Sequence, residues 1–129
     1  MNTHAEKGES GEFLAAEFLR RQKGFAIVAC NWRNPQDCRE EIDLVAQDRE
    51  ILVFVEVKAR NRSSRVPGFY AVDRAKRKIL RRAARAYLQG LAIKPRTFRL
   101  DVVEIVLGGA VPEIRYYANA GLFQKYYRP

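Results

Sequence analysis

The segment Val53-Phe54-Val55-Glu56-Val57-Lys58 constrains this chain more than any other. Its β-branched and aromatic residues describe a strand that is apolar on both faces, the pattern of a strand inside a sheet. One carboxylate and one ammonium nevertheless stand in it at i and i+2, so Glu56 and Lys58 point to the same face about 7 Å apart. A second run, Glu41-Ile42-Asp43-Leu44-Val45-Ala46, sets Asp43 between two large aliphatic residues. Only Gln47-Asp48-Arg49-Glu50 separates the two runs, a connection short enough for a hairpin that makes them antiparallel neighbours. Burying a carboxylate costs on the order of several kcal/mol unless it is paired or holds a cation, so the arrangement demands a reason.

The remaining elements follow from periodicity and punctuation. Thr3-His4-Ala5-Glu6 has the capping-box pattern, and Gly24 stops the Ala-, Leu- and Glu-rich stretch after it, which predicts a helix over 5–23. A short strand is expected over 25–30, followed by Asn31-Trp32-Arg33-Asn34-Pro35, which has turn chemistry. Residues 60–68 have the composition of a surface loop. Over 71–89 the apolar positions Val72, Ala75, Ile79, Ala83 and Ala86 recur at helical spacing, and Gly90 closes the segment. Residues 98–107 read as a long central strand that pairs with a last strand over 111–117. Cys30, in an apolar run, reads as a small buried hydrophobe, and Cys38 as a bystander thiol in a polar loop. The order α-β-β-β-α-β-β describes an α/β fold: a mixed central sheet with a helix on each face or both on one, in a single domain spanning residues 1–129.

A formal net charge of +9 favours polyanionic partners, nucleic acid first among them. No run approaches the roughly 20 apolar residues that span a bilayer, and the N-terminus lacks the parts of a signal peptide, so no membrane partner and a cytoplasmic location are expected. His4 is the only histidine and Cys30 and Cys38 the only cysteines, which excludes a four-ligand zinc site built from Cys and His alone. The same count leaves Ser-His-Asp or Cys-His catalysis only His4 as a base.

Taken singly, Asp43, Glu56 and Lys58 read as solvated salt bridges at a sheet edge. Taken together, two carboxylates on adjacent strands make an all-oxygen site suited to Mg²⁺ or Mn²⁺. Glu12 shares a helical face with Ala15, Ala16 and Leu19, either as a core residue bonded to a strand end or as a third acidic member of the site. In the second helix Arg74, Lys78, Arg81, Arg82 and Arg85 form a basic rail with no acid after Asp73, and Arg60 follows the acidic strand; phosphate contact is the expected role of all six. Tyr116, Tyr117, Phe123, Tyr126 and Tyr127 read as core packing or as the interface of a homodimer.

Asp43 followed by Glu56-Val57-Lys58 resembles the D…ExK core of the PD-(D/E)XK nuclease superfamily. With Gly11-Glu12, Asn31-Trp32-Arg33, Glu41-Ile42-Asp43-Leu44-Val45, Lys58-Ala59-Arg60 and Phe98-Arg99-Leu100-Asp101-Val102-Val103, the chain resembles, over most of its length, the YraN-like family of predicted endonucleases, related to archaeal Holliday-junction resolvases. One position departs, since Glu40 stands where that family usually has glycine. The resemblance implies a restriction-endonuclease-like fold, a metal held by Asp43 and Glu56, a catalytic Lys58 and Glu12 at the acidic position of the first helix. It also implies phosphodiester hydrolysis, with DNA and in particular branched DNA as the favoured substrate. A nucleic-acid-binding module that keeps the fold with little or no cleavage is the alternative expectation.

Overall fold

In the computed structural model, which describes residues 4–63 and 74–121, the strand that stood out in the sequence lies at the centre. The element order is α1 (His4–Lys23), β1 (Ala26–Asn34), β2 (Asp37–Asp48), β3 (Ile51–Asn61), α2 (Arg74–Gln89), β4 (Thr97–Leu107) and β5 (Glu113–Tyr117). The five strands form one sheet in the order β1-β2-β3-β4-β5. β3 has β2 antiparallel on one edge and β4 parallel on the other, and α2 lies in the crossover that a parallel pair requires. The result is a small α/β domain with a mixed sheet and two helices, consistent with a restriction-endonuclease-like fold.

The alternation of β3 sorts the core into two layers. Val53 and Val55 pack with Ala15, Ala16 and Leu19 of α1 and with Val103 and Ile105, whereas Leu52 and Phe54 pack with Leu80, Ala83 and Ala84 of α2 and with Leu100 and Val102. One helix therefore covers each face. Phe54 is edge-on to both Tyr87 and Phe98, with ring centroids 5.9 and 6.3 Å away, which ties α2 and β4 to β3. Continuing the period of two, Glu56, Lys58 and Arg60 fall on the α2 face, at the carboxyl end of β3.

α1 ends as expected at Gly24, whose φ of 72° lets Phe25 N–H donate to Leu19 O at 3.0 Å and its own N–H to Arg20 O at 3.2 Å. Other expectations need correction. The segment given turn chemistry at 31–34 is strand: Asn31 takes φ 52° within β1, and Trp32 goes on to pair with Ile42. Asparagine tolerates that left-handed conformation, so the strand absorbs it instead of ending. β2 accordingly starts at Asp37, four residues before the expected boundary, and Glu40 accepts a bond from Asn34 Nδ2 at 3.0 Å across the hairpin. Cys30 is exposed because β1 is an edge strand, and Cys38 is an exposed residue of β2.

The core face of α2 is also turned from the expected stripe. Leu80, Ala83 and Ala84 are buried, whereas Ala75 is exposed and Ile79 only half-buried. Val72, Phe123, Tyr126, Tyr127 and residues 64–68 lie outside the described residues. β4 is buried without interruption from Leu100 to Val106, acids included, as befits an interior strand.

Candidate active site

β2 and β3 pair as far as Leu44 and Val55. Beyond that pair the side chain of Asp43 takes over, its Oδ2 accepting the backbone N–H of Val57 at 2.8 Å. The bond holds the Asp43 carboxyl against β3 and beside Glu56, near enough for each acid to disturb the other's ionisation. Glu56 is 3% exposed. Burial pushes the Glu56 carboxyl up, the neighbouring Asp43 charge pushes it further, and the result is a pKa of about 7 despite two opposing lysines. Asp43 is raised as well, by burial first, although the Val57 N–H counters it.

Two ammoniums close over this pair. Lys58 Nζ lies 3.6 Å from Glu56 Oε1, and Lys76 Nζ, from the first turn of α2, lies 3.7 Å from the same oxygen. Asp43, Glu56 and Lys58 are thus brought together as their positions in sequence suggested. Lys76 was not anticipated. The signal that reveals it is its place four residues before Leu80 on the inner side of α2, the same kind of lone charge on a core stripe that singled out Glu12.

Glu12 is half-buried on α1 beside Gly11, where an added Cβ would meet Val57 Cγ1 and Ile105 Cγ1 at 3.9 Å. The helix therefore crosses β3 at Val57, on the sheet face opposite the Glu56 side chain, and among the described residues no group of three His, Cys, Asp or Glu side chains could hold a metal ion. Asp43 and Glu56 are the two acids brought side by side. They still suit a hard cation, since Mg²⁺ is commonly held through one or two carboxylates with water and substrate phosphate in its other positions. Two carboxyls whose ionisation burial and mutual repulsion oppose are also groups that a cation would relieve.

Arg60 takes a different place from the one expected. Its Nε donates to Glu104 Oε1 at 2.9 Å, and Glu104 is wholly buried, opposite Lys58 in the β3–β4 register and bridged also by Arg115 at 3.7 Å. This ion group closes the sheet next to the acidic pair. Arg74, Lys78, Arg82 and Arg85 are exposed and Arg81 half-exposed, on the side of α2 turned away from Leu80 and Ala84. On the opposite sheet face, wholly buried Asp101 accepts from Arg99 Nε at 2.9 Å, from the Tyr116 hydroxyl at 2.5 Å and from Asn119 N–H at 2.8 Å, a satisfied acid that pins β5 to β4.

The model of the uncharacterised protein family UPF0102 matches residues 11–105, a span that holds Glu12, Asp43, Glu56, Lys58, Lys76 and Glu104. This chain belongs to the UPF0102 family. A UPF0102 protein of Koribacter versatilis is 40% identical over 119 residues, 92% of this chain and 81% of the relative. One of Renibacterium salmoninarum is 39% identical over 122 residues, 94% of this chain and all of the relative. One of Symbiobacterium thermophilum reaches 48% over 102 residues, 78% of this chain and 82% of the relative. The UPF0102 match ends within β4, so the acidic pair and both lysines fall inside it and β5 falls outside. No helix among the described residues is long and apolar enough to cross a membrane.

Proposed function

We propose that this UPF0102 protein is a divalent-metal-dependent nuclease of the PD-(D/E)XK type, hydrolysing phosphodiesters in nucleic acid. DNA is the favoured substrate and branched DNA a specific candidate. The observation that carries the reading is the pair Asp43 and Glu56, held carboxyl to carboxyl at a strand end with Lys58 at 3.6 Å from Glu56. A fold in need of stability alone gains little from two repelling acids, one buried and one half-buried.

Asp43 and Glu56 would hold Mg²⁺ or Mn²⁺. Such an ion, when bound, supplies Lewis-acid stabilisation of charge growing at phosphorus. Lys58, on the same strand face as Glu56, would orient the attacking water and offset developing negative charge. The basic rail of α2 would hold the substrate backbone through its phosphates.

Purified protein with Mg²⁺ or Mn²⁺ and a panel of linear, flapped and four-way DNA tests this directly. Cleavage that chelation and Asp43→Asn both abolish is the expected result. A second reading, a nucleic-acid-binding module with little or no cleavage, draws support from the absence, among the described residues, of a third acidic side chain in the group. Tight DNA binding without cleavage of any substrate would favour it.

A further inference from the structure

We infer that Lys76 is a second substrate-binding cation of the site, contacting the phosphate that lies over Glu56. The inference deepens the nucleic-acid reading and rests on it. Its basis is the layering of charge around one oxygen. Glu56 lies beneath, its side chain 4% exposed, and Lys58 and Lys76 approach the same Oε1 from two different elements with side chains 27% and 29% exposed. Two half-exposed ammoniums converge on it while each keeps access to solvent.

Lys76 also stands on the helix that carries the exposed basic row. Its inner side reaches Glu56, and the exposed row Lys78, Arg82 and Arg85 runs along its outer side. Helix geometry places Lys76 roughly 3 Å along the axis from Lys78 but about 200° round it, so the two reach opposite sides of α2. A nucleic-acid backbone that passes over the amino-terminal end of α2, where Arg74 is exposed, would bring a phosphate within reach of Lys76. An ammonium fits this task because it is a mobile point charge with three donors, able to serve the carboxylate and a phosphate oxygen together.

The competing role is that of a counter-ion that only offsets the charge of Glu56, and it predicts a different double-variant outcome. DNA affinity is measured by fluorescence anisotropy with Ca²⁺ as the divalent ion, for the parent, Lys76→Met, Glu56→Gln and the double variant. A phosphate contact predicts that Lys76→Met weakens binding on the order of tenfold whether residue 56 is Glu or Gln, with Lys76→Arg recovering most of it. A counter-ion predicts that the loss vanishes in the Glu56→Gln background, and that result overturns the inference. Thermal melts of all four proteins identify any variant that fails to fold, and Lys76→Arg then carries the comparison. A parent that binds DNA but never cleaves it sinks the hydrolase reading and leaves this test intact. A parent that binds no DNA overturns both.

Discussion

The carboxyl of Asp43 accepts the backbone N–H of Val57, the residue that separates Glu56 from Lys58. One bond at 2.8 Å thereby fixes the acid of one strand to the middle of the acid–lysine pair of the next. Removing the charge and removing the acceptor are separable. Asp43→Asn keeps an oxygen for Val57, whereas Asp43→Ala orphans a part-buried N–H, at a cost of about 1–3 kcal/mol. Both variants are expected to lose Mn²⁺ binding by calorimetric titration, as is Glu56→Ala, and the alanine variant at 43 should melt below the asparagine one. Unchanged Mn²⁺ affinity throughout would return these residues to structural ion pairs.

Stability should fall as pH rises through the window between the ordinary glutamate value of 4.5 and the raised value of about 7. In that window the unfolded chain has released a proton that folded Glu56 still keeps, so ionisation favours unfolding. Glu56→Gln has no such proton to lose. Its denaturation midpoint should exceed that of the parent at pH 8 and show a shallower fall between pH 5 and pH 8. Parallel pH profiles for the two proteins would contradict the strained ionisation of this site.

Affinity for nucleic acid should drop steeply with salt, since each phosphate contact releases bound counter-ions. Neutralising Arg81, Arg82 and Arg85 together is expected to reduce the slope of log affinity against log salt by about 2–3. An identical slope in the triple variant would show that the outer face of α2 is merely solvated.

Lys58→Met separates chemistry from binding. The variant keeps the aliphatic stem, the acidic pair and the rail, so metal and DNA affinities should persist. Turnover should drop on the order of 10²-fold or more. Cleavage undiminished in single-turnover kinetics would remove Lys58 from the mechanism.

Much of this architecture was legible because β3 and β4 are long, strongly β-branched and bounded by turns. The pairing of Asp43 with Glu56 followed from two apolar runs and the short connection between them. The misreadings have local causes. Asn31 signalled a turn, yet its left-handed conformation sits inside β1, where pairing with β2 overrides local preference. In α2 the alanines at 75, 83 and 86 gave a plausible stripe because alanine is at home on either side of a helix. Leu80 and Tyr87, seven residues apart, mark the true inner side and bring Lys76 with them. The partner of Arg60 was invisible because Glu104 lies 44 residues away and meets it only through the parallel pairing of β3 with β4.

That parallel pairing, together with the strict alternation along β3, ties the acidic site to the register of the strand. Val53, Val55 and Val57 fill the α1 side, and Leu52, Phe54 and Glu56 the α2 side, of one unbroken ribbon. Inserting or deleting a single residue between Val53 and Glu56 would swing both Glu56 and Lys58 into the valine layer beneath α1. A slip that dismantled the acidic site would thus also unpack the protein, so the site's placement is proofread by its own core.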